Sequence, residues 1–156
     1  MRLAASMLGL ASALAACDVG VGPQNGPLRL TVTVARSVIA VGDTTTVTAT
    51  LRNLGADSVT LTGGVCQIRP LPYVAAEASR EIIYPKGGDW ICIEIFTRLT
   101  LAPGAEERRT LVVTGAAPPV PLDMAVPLGR GEYRIYAVLN SPEFPLRAES
   151  VLLTVR

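Results

Sequence analysis

The chain has 156 residues, enough for one domain, and its 49% hydrophobic and 17% charged residues argue against disorder. Its formal net charge is +1 and no basic face stands out, so nucleic acid is not an expected partner. The chain contains no histidine, which excludes serine triads, papain-like cysteine sites and histidine-based zinc sites as these are normally built. We therefore expect no catalytic residues, no cofactor and no bound metal.

The first seventeen residues predict export and a lipid anchor. Arg2 precedes an apolar run, Leu3 to Ala16, which is shorter than the roughly 20 residues of a membrane-spanning helix and fits a secretory signal. The run closes with "LAAC", residues 14–17, which resembles the lipobox of bacterial lipoproteins. That resemblance implies that Cys17 accepts diacylglycerol through its thiolate and that residues 1–16 are removed. A plain signal peptide with an incidental cysteine, or a misassigned start, are the alternatives.

A lipid-modified Cys17 would hold the protein on a bacterial cell-envelope membrane, facing the periplasm or the exterior. Asp18 resembles the inner-membrane retention signal of enterobacterial lipoproteins, a rule that does not hold in all bacteria, so inner and outer membrane both remain open. Residues 17–27 contain three glycines and two prolines and predict a flexible tether. The expected partners are therefore the membrane, through the lipid, and a protein of the envelope.

Residues 28–156 predict an all-β domain. Short segments alternate apolar and polar side chains and are separated by Gly, Pro, Asn or Asp clusters such as "AVGDTT" at 40–45. One short helix is predicted, from Val74 to Arg80. Seven or more short strands without long helices favour an antiparallel β-sandwich over a parallel α/β sheet. The predicted strands are Leu28–Ala35, Thr46–Asn53, a strand beginning at Val59, Trp90–Ile95, Thr110–Thr114, Tyr133–Leu139 and Val151–Val155.

Three stretches resemble bacterial immunoglobulin-like domains. "TTTVTATLRNLGADSVTL" resembles a second strand and its turn, "LTLAPGAEERRTLVV" a proline-glycine turn before a strand, and "GRGEYRIYAVL" a late strand. In this order they are most similar to the domain of the intracellular proteinase inhibitor family, over Leu28 to Arg156. The resemblance implies an immunoglobulin-like antiparallel β-sandwich and, more remotely, inhibition of a protease.

Two cysteines remain once Cys17 is assigned to lipid. In an exported domain, Cys66 and Cys92 are expected to form a disulfide; two free buried thiols are the alternative. No CxxC spacing supports a redox site. Trp90 would lie on the same face of the same strand as Cys92, where it could cover the bridge.

The carboxylates offer little chemistry. Glu106 and Glu107 are adjacent on a predicted strand, so their side chains should point to opposite faces, and two arginines follow them directly. We interpret all four as solvated surface charges rather than an acid–base pair.

Two segments are candidates for recognition: Arg69 to Trp90, and Gly115 to Gly131, whose four prolines exclude a central strand. Both could equally be loops that cover the sandwich edges. Because Tyr, Trp and Arg are the commonest interface anchors, the candidate partner-binding residues are Arg69, Tyr73, Tyr84 and Trp90.

The leading hypothesis is a lipid-anchored binding or scaffold module that acts through protein–protein contacts. The alternative is a protease inhibitor that presents a loop such as Arg69 to Trp90 to an active site. An enzyme is the third possibility, and it would need a deep pocket with carboxylates of shifted pKa.

Overall fold

The structure is a computed structural model that describes residues 26–92, 95–115 and 126–156. The predicted signal peptide, Cys17 and most of the tether lie outside these residues and stay predictions. Within the described ranges the chain forms one helical turn, α1 (Val65–Ile68), and these strands: β1 (Leu28–Val34), β2 (Val38–Ile39), β3 (Thr44–Asn53), β4 (Val59–Gly64), β5 (Leu71–Ala76), β6 (Ile82–Tyr84), β7 (Phe96–Leu101), β8 (Glu106–Thr114), β9 (Val126–Pro127), β10 (Gly131–Asn140), β11 (Pro145–Arg147) and β12 (Val151–Val155).

Two sheets contain most of the strands. The first sheet has the order β1-β3-β8-β9, and the second has the order β2-β12-β10-β5-β6, with β11 also paired to β10. Neighbours are antiparallel except at two sheet edges, where the two-residue strands β9 and β2 pair in parallel with β8 and β12. The prediction of an all-β chain with at least seven strands is confirmed.

The two sheets enclose one apolar core. Val47, Ala49 and Leu51 alternate along β3 and are fully buried, as are Ile135 and its alternate neighbours along β10. These side chains belong to a single core cluster, so the sheets pack face to face as a β-sandwich. Each such aliphatic side chain stabilises the fold by about 1.5–3 kcal/mol relative to leaving it in water. In these strands, the apolar residues of the alternating sequence are therefore the ones that face the other sheet.

The β4–β7 pair is a separate two-stranded sheet that follows the β3–β8 ladder, and its Leu61 and Leu101 belong to the same core cluster. The β3–β8 ladder ends with Arg52 opposite Glu106, and the β4–β7 ladder resumes with Val59 opposite Leu101. Residues 54–58 and 102–105 interrupt the two ladders at the same level. Strands β3 and β4 therefore pair with β8 and β7 as one long antiparallel ribbon that has a break in the middle. The end of the ribbon formed by β4 leads into α1.

Two elements differ from the sequence prediction. The predicted helix from Val74 to Arg80 is wrong, because residues 71–76 form β5, and the helical turn lies earlier, at Val65–Ile68. In β5 Leu71, Pro72, Val74 and Ala75 are all buried, on both faces of the strand. A strand covered on both sides shows no period of two, and its apolar run is then read as a helix.

The predicted strand Trp90–Ile95 is also wrong for the residues that can be compared. Trp90, Ile91, Cys92 and Ile95 lie outside any strand, and β7 begins at Phe96; residues 93 and 94 are not described. A segment that alternates apolar and polar residues forms a strand only where a neighbouring strand pairs with its backbone. Here Cys92 is instead bonded to Cys66. In the other recognition segment, residues 126–127 form the edge strand β9, as its prolines require, and residues 116–125 lie outside the description.

Candidate functional site

An array of aromatic rings and arginines crosses the second sheet; we call Arg147, Tyr136, Tyr73, Trp90 and Arg109 the ring row. The Arg147 guanidinium carbon lies 4.3 Å from the centre of the Tyr136 ring. The Tyr136 and Tyr73 rings stack with centres 5.1 Å apart and planes 4° from parallel. Tyr73 meets Trp90 edge-on at 6.4 Å, and the Arg109 guanidinium carbon lies 4.1 Å from the centre of the Trp90 ring. The row therefore consists of ring–ring and cation–ring contacts, both in favourable geometries.

Strand register brings the two stacked tyrosines together. Tyr73 in β5 and Tyr136 in β10 are direct partners, and so are their neighbours Val74 and Ile135. Val74 and Ile135 belong to the buried core, so the tyrosines point to the outer side of the second sheet. A cross-strand aromatic pair of this kind stabilises the sheet that carries it.

Trp90 contacts tyrosines from both sides of the second sheet. Tyr84 is the register partner of Val74 and lies on the core side, while Tyr73 lies on the outer side. The indole ring contacts both, meeting Tyr84 edge-on at 5.1 Å. Arg109 comes from β8 of the first sheet, on the same face as the buried Ala49. Trp90 consequently joins the two sheets at an open side of the sandwich.

The segment that carries Trp90 is held by the predicted disulfide. Cys66 of α1 and Cys92 are bonded, with their Cα atoms 5.8 Å apart, so this expectation is confirmed. Close to Cys92 along the chain, three large apolar side chains are solvent-exposed: Ile91 is 100% exposed, Ile95 56% and Phe96 79%. We call Ile91, Ile95 and Phe96 the apolar tip.

The structure brings together three of the four predicted partner-binding residues. Tyr73 and Tyr84 each contact the ring of Trp90, whereas Arg69 pairs with Glu107, with Nη1 3.0 Å from Oε1. Glu106 lies on the opposite face of β8 and pairs with arginines there, as its position next to Glu107 predicts. Neither carboxylate is placed for acid–base chemistry with the other.

Three members of the row were not predicted as binding residues from the sequence: Tyr136, Arg147 and Arg109. The pattern of β10 does place Tyr136 on its polar face, where a large ring signals that the outer side is covered. No comparable signal exists for Arg147 and Arg109. Each is one arginine among many, and its ring contact depends on strands that are distant along the chain.

Burial changes the acidity of the row. Burial is the main cause that raises the pKa of Tyr73, with smaller contributions from Tyr136 and Asp89, while a hydrogen bond with Asn140 opposes the rise. Burial also lowers the pKa of Arg109. The indole nitrogen of Trp90 is buried and has no hydrogen-bond partner among the described residues. A buried donor without a partner is uncommon in folded proteins, and its burial places the indole edge inside the contact between Trp90 and its neighbours.

Outside the row, we consider two features that catalytic sites commonly have: carboxyl groups with a shifted pKa and clusters of metal ligands. Glu77 is a carboxyl whose pKa is shifted, and the shift is downward, chiefly because Arg134 donates hydrogen bonds to it. That direction is the one expected of an ion pair rather than a general acid. Within residues 26–92, 95–115 and 126–156, no three His, Cys, Asp or Glu side chains come together as a possible metal site, and no helix is long and apolar enough to span a membrane.

Comparisons with known proteins find similarity in structure alone. No family model matches the sequence, and no curated protein matches it. Among solved structures, the CARDB domain of the PF1109 protein from Pyrococcus furiosus, solved in complex with di-metal ions, is 18% identical with a TM-score of 0.46, over 83% of this chain and 89% of that one. The β-glucosidase EmGH1 from Erythrobacter marinus is 14% identical with a TM-score of 0.45, and this chain covers 15% of its length.

A third structural neighbour is the alkylpurine DNA glycosylase AlkC from Pseudomonas fluorescens, bound to DNA with an abasic site analogue. It is 12% identical with a TM-score of 0.47, over 83% of this chain and 30% of the glycosylase. None of the three similarities is close enough to assign a function. The ring row and its surroundings therefore carry the functional argument.

Proposed function

We propose that the chain is a non-catalytic binding module, held at a cell-envelope membrane by lipid on Cys17, that contacts a partner protein through the ring row. The observation that carries the proposal is the row itself, in which Tyr73, Trp90 and Tyr136 are clamped between two arginines at 4.1 and 4.3 Å. Tyr, Trp and Arg are the residues that dominate the energy of protein interfaces. Because contacts within the row already order these side chains, binding would cost little side-chain entropy.

The stacking geometry favours a protein over a sugar as the partner. Both faces of the Tyr136 ring are covered, one by Tyr73 and the other by the guanidinium of Arg147. A saccharide that stacks on an aromatic residue needs a free ring face. A polypeptide can instead use ring edges, hydroxyl groups and the guanidinium donors.

We further propose that the sandwich is immunoglobulin-like. Strands β1, β3 and β8 follow the order A-B-E in one sheet, and β12, β10 and β5 follow the order G-F-C in the other. Near the start of β10, the Tyr133 hydroxyl donates a hydrogen bond to the Gly129 carbonyl at 2.9 Å, which corresponds to the tyrosine corner of such folds.

The experiment is crosslinking in the native cell envelope with recovery of the tagged chain. We expect a recurrent partner protein with the wild type, and its loss with Trp90→Ser and with Cys17→Ser. Leu54→Ser is the matched control, because Leu54 is an exposed apolar residue outside the row. A role for the row would be refuted if folded wild type and folded Trp90→Ser recovered the same background proteins.

A second candidate function, protease inhibition, is favoured by the apolar tip. Ile91 is fully exposed directly beside the bonded Cys92, and an exposed side chain on a disulfide-held loop can enter the specificity pocket of a protease. The purified full chain would then inhibit a serine protease at stoichiometric amounts, and Ile91→Asp would abolish the inhibition. No inhibition across a broad protease panel would eliminate this candidate.

A further inference from the structure

We infer that the cleft next to the ring row binds a carboxylate carried by the partner polypeptide. This inference rests on the proposed function and specifies the chemistry of the partner. The cleft has a volume of about 360 Å³ and is lined by Arg80, Arg134, Arg147 and residues 148–150. Its three guanidinium groups come from three elements: the β5–β6 turn, β10 and β11.

The charges of the cleft suit one added negative group. Arg134 is already neutralised, because its Nε and Nη2 donate to the two carboxylate oxygens of Glu77 at 2.7 and 2.6 Å. In the part of the chain that the structure describes, neither Arg80 nor Arg147 takes part in an ion pair. Glu149 is the carboxylate of the lining, so with Glu77 counted against Arg134 the cleft keeps one excess positive charge, which matches a single carboxylate.

The Glu77 pair shows that a carboxylate fits this environment. Arg134 holds it in a two-pronged arrangement, the geometry in which guanidinium groups bind carboxylates most strongly. The remaining Nη1 of Arg134 donates to the Ser150 hydroxyl at 3.3 Å. Arg80 and Arg147 line the same space, and the pKa of Glu77 is lowered mainly by Arg134 and to a smaller extent by the charge of Arg80.

Arg80 occupies a position where its residue type is costly. Its φ angle is +61°, in the left-handed region that glycine adopts without strain. The turn needs only its backbone, since Arg80 N–H donates to the Ala76 carbonyl at 2.9 Å. An arginine therefore adds strain to the turn and a guanidinium to the cleft. Backbone strain of this kind is frequent at functional sites.

Arg147 makes the cleft and the ring row one continuous surface. Its guanidinium stacks on Tyr136 and also lines the cleft. A polypeptide lying along the row would reach the cleft at this residue. The partner that fits is thus a segment with an acidic residue beside aromatic or apolar residues.

The test is NMR titration of the full chain with a hexaglutamate peptide, monitored at the arginine Nε–Hε signals. We expect saturable shifts at Arg80 and Arg147 that hexaglutamine does not produce. Arg80→Gly should weaken binding about tenfold, the loss of one charge-assisted contact, while raising Tm because it relieves the left-handed strain. Arg98→Gln is the matched control: it removes an exposed arginine on β7 and should leave both Kd and Tm unchanged.

Three results would overturn the inference: equal binding of hexaglutamine, equal weakening by Arg98→Gln, or tighter binding of inorganic phosphate than of hexaglutamate. The two proposals fail in different ways. If Trp90→Ser loses the envelope partner while hexaglutamate does not bind, the ring row stands and the carboxylate site falls. If hexaglutamate binds through Arg80 and Arg147 while Trp90→Ser keeps the partner, the site stands and the row falls.

Discussion

At the scale of single residues, Asn53 holds the break in the long ribbon. Its side-chain amide is fully buried and donates to the carbonyls of Asp57 at 2.7 Å and Leu101 at 2.9 Å. Its side-chain oxygen accepts from the Gly55 N–H at 2.9 Å, and its backbone bonds with residues 104 and 105. One side chain therefore satisfies three backbone groups that the interrupted ladders leave open.

Asn53→Ala should lower the free energy of unfolding by about 3 kcal/mol, because it leaves buried backbone groups without partners. Chemical denaturation of the variant and the wild type measures the difference. The control is Thr60→Ala, which removes an exposed side-chain hydrogen bond to Thr100 and should cost about 0.5 kcal/mol or less. Equal losses in the two variants would contradict the role assigned to Asn53.

The ion pair of Glu77 and Arg134 makes stability depend on pH. Hydrogen bonds from Arg134 hold the pKa of Glu77 below its usual range. A carboxyl with a lower pKa in the folded state stabilises the fold above its unfolded pKa of about 4.3, and this contribution disappears as pH falls through the folded value. Wild type should therefore have a higher Tm than Glu77→Gln at pH 7, and the gap should shrink below about pH 4.3. Thermal melts along a pH series test this, with Glu132→Gln as the control; a gap independent of pH would refute it.

At the scale of elements, the turn between β2 and β3 docks on the end of β8 through Gly115. The Gly115 N–H donates to the Asp43 carbonyl at 2.9 Å, and Gly42 N–H donates back to the Gly115 carbonyl. A Cβ at Gly115 would lie 2.5 Å from the Ala40 carbonyl oxygen and 3.0 Å from a methyl of Val155. The chains approach this closely only because residue 115 has no side chain.

Gly115→Ala should destabilise the fold by about 1–3 kcal/mol, since backbone has to move to admit the methyl group. Gly129→Ala is the matched control: the nearest atom to its added Cβ is 3.9 Å away, and a change within about 0.5 kcal/mol is expected. Urea unfolding of both variants gives the comparison. A Gly115→Ala protein as stable as the Gly129→Ala protein would show that the turn can shift freely.

At the scale of the whole molecule, the Cys66–Cys92 bridge ties the far end of the ribbon to the segment that carries Trp90. The bonded residues are 26 positions apart, and loop-closure entropy for that length corresponds to about 3.5 kcal/mol. The Cys66→Ser/Cys92→Ser variant should lose about that much stability. The chain has one tryptophan, so its fluorescence follows unfolding and reports the surroundings of the ring row at the same time.

The control for this prediction is chemical reduction. A reducing agent should shift the unfolding midpoint of the wild type and leave that of the double variant unchanged. A midpoint insensitive to reductant in both proteins would mean that the bridge contributes nothing to stability. Unchanged Trp90 fluorescence in the native double variant would show that the rings, rather than the bridge, order this segment.

The extent of prediction differs between the fold and the candidate site. Strands such as β3 and β10, with one face in the core, alternate visibly and were predicted within one or two residues. β5 was misread as helix because buried residues on both of its faces remove the alternation. Tyr73, Tyr84 and Trp90 were singled out by residue type alone, and the contacts of both tyrosines with Trp90 depend on register that local pattern does not contain.

The sequence by itself determined the β class and the residue types from which a recognition surface is built. It predicted the Cys66–Cys92 disulfide with two free thiols as the alternative, and the structure decided between them. Local alternation, turn residues and the number of cysteines can be recognised in the sequence without the three-dimensional structure. Only the tertiary structure decided that Arg147, Tyr136, Tyr73, Trp90 and Arg109 form one row, and that Arg80 faces Arg147 across a cleft. The widest of the row's contacts, between Tyr73 and Tyr136, joins residues 63 positions apart along the chain. These contacts form because two sheets must bury their apolar faces together, a requirement that acts on the whole molecule.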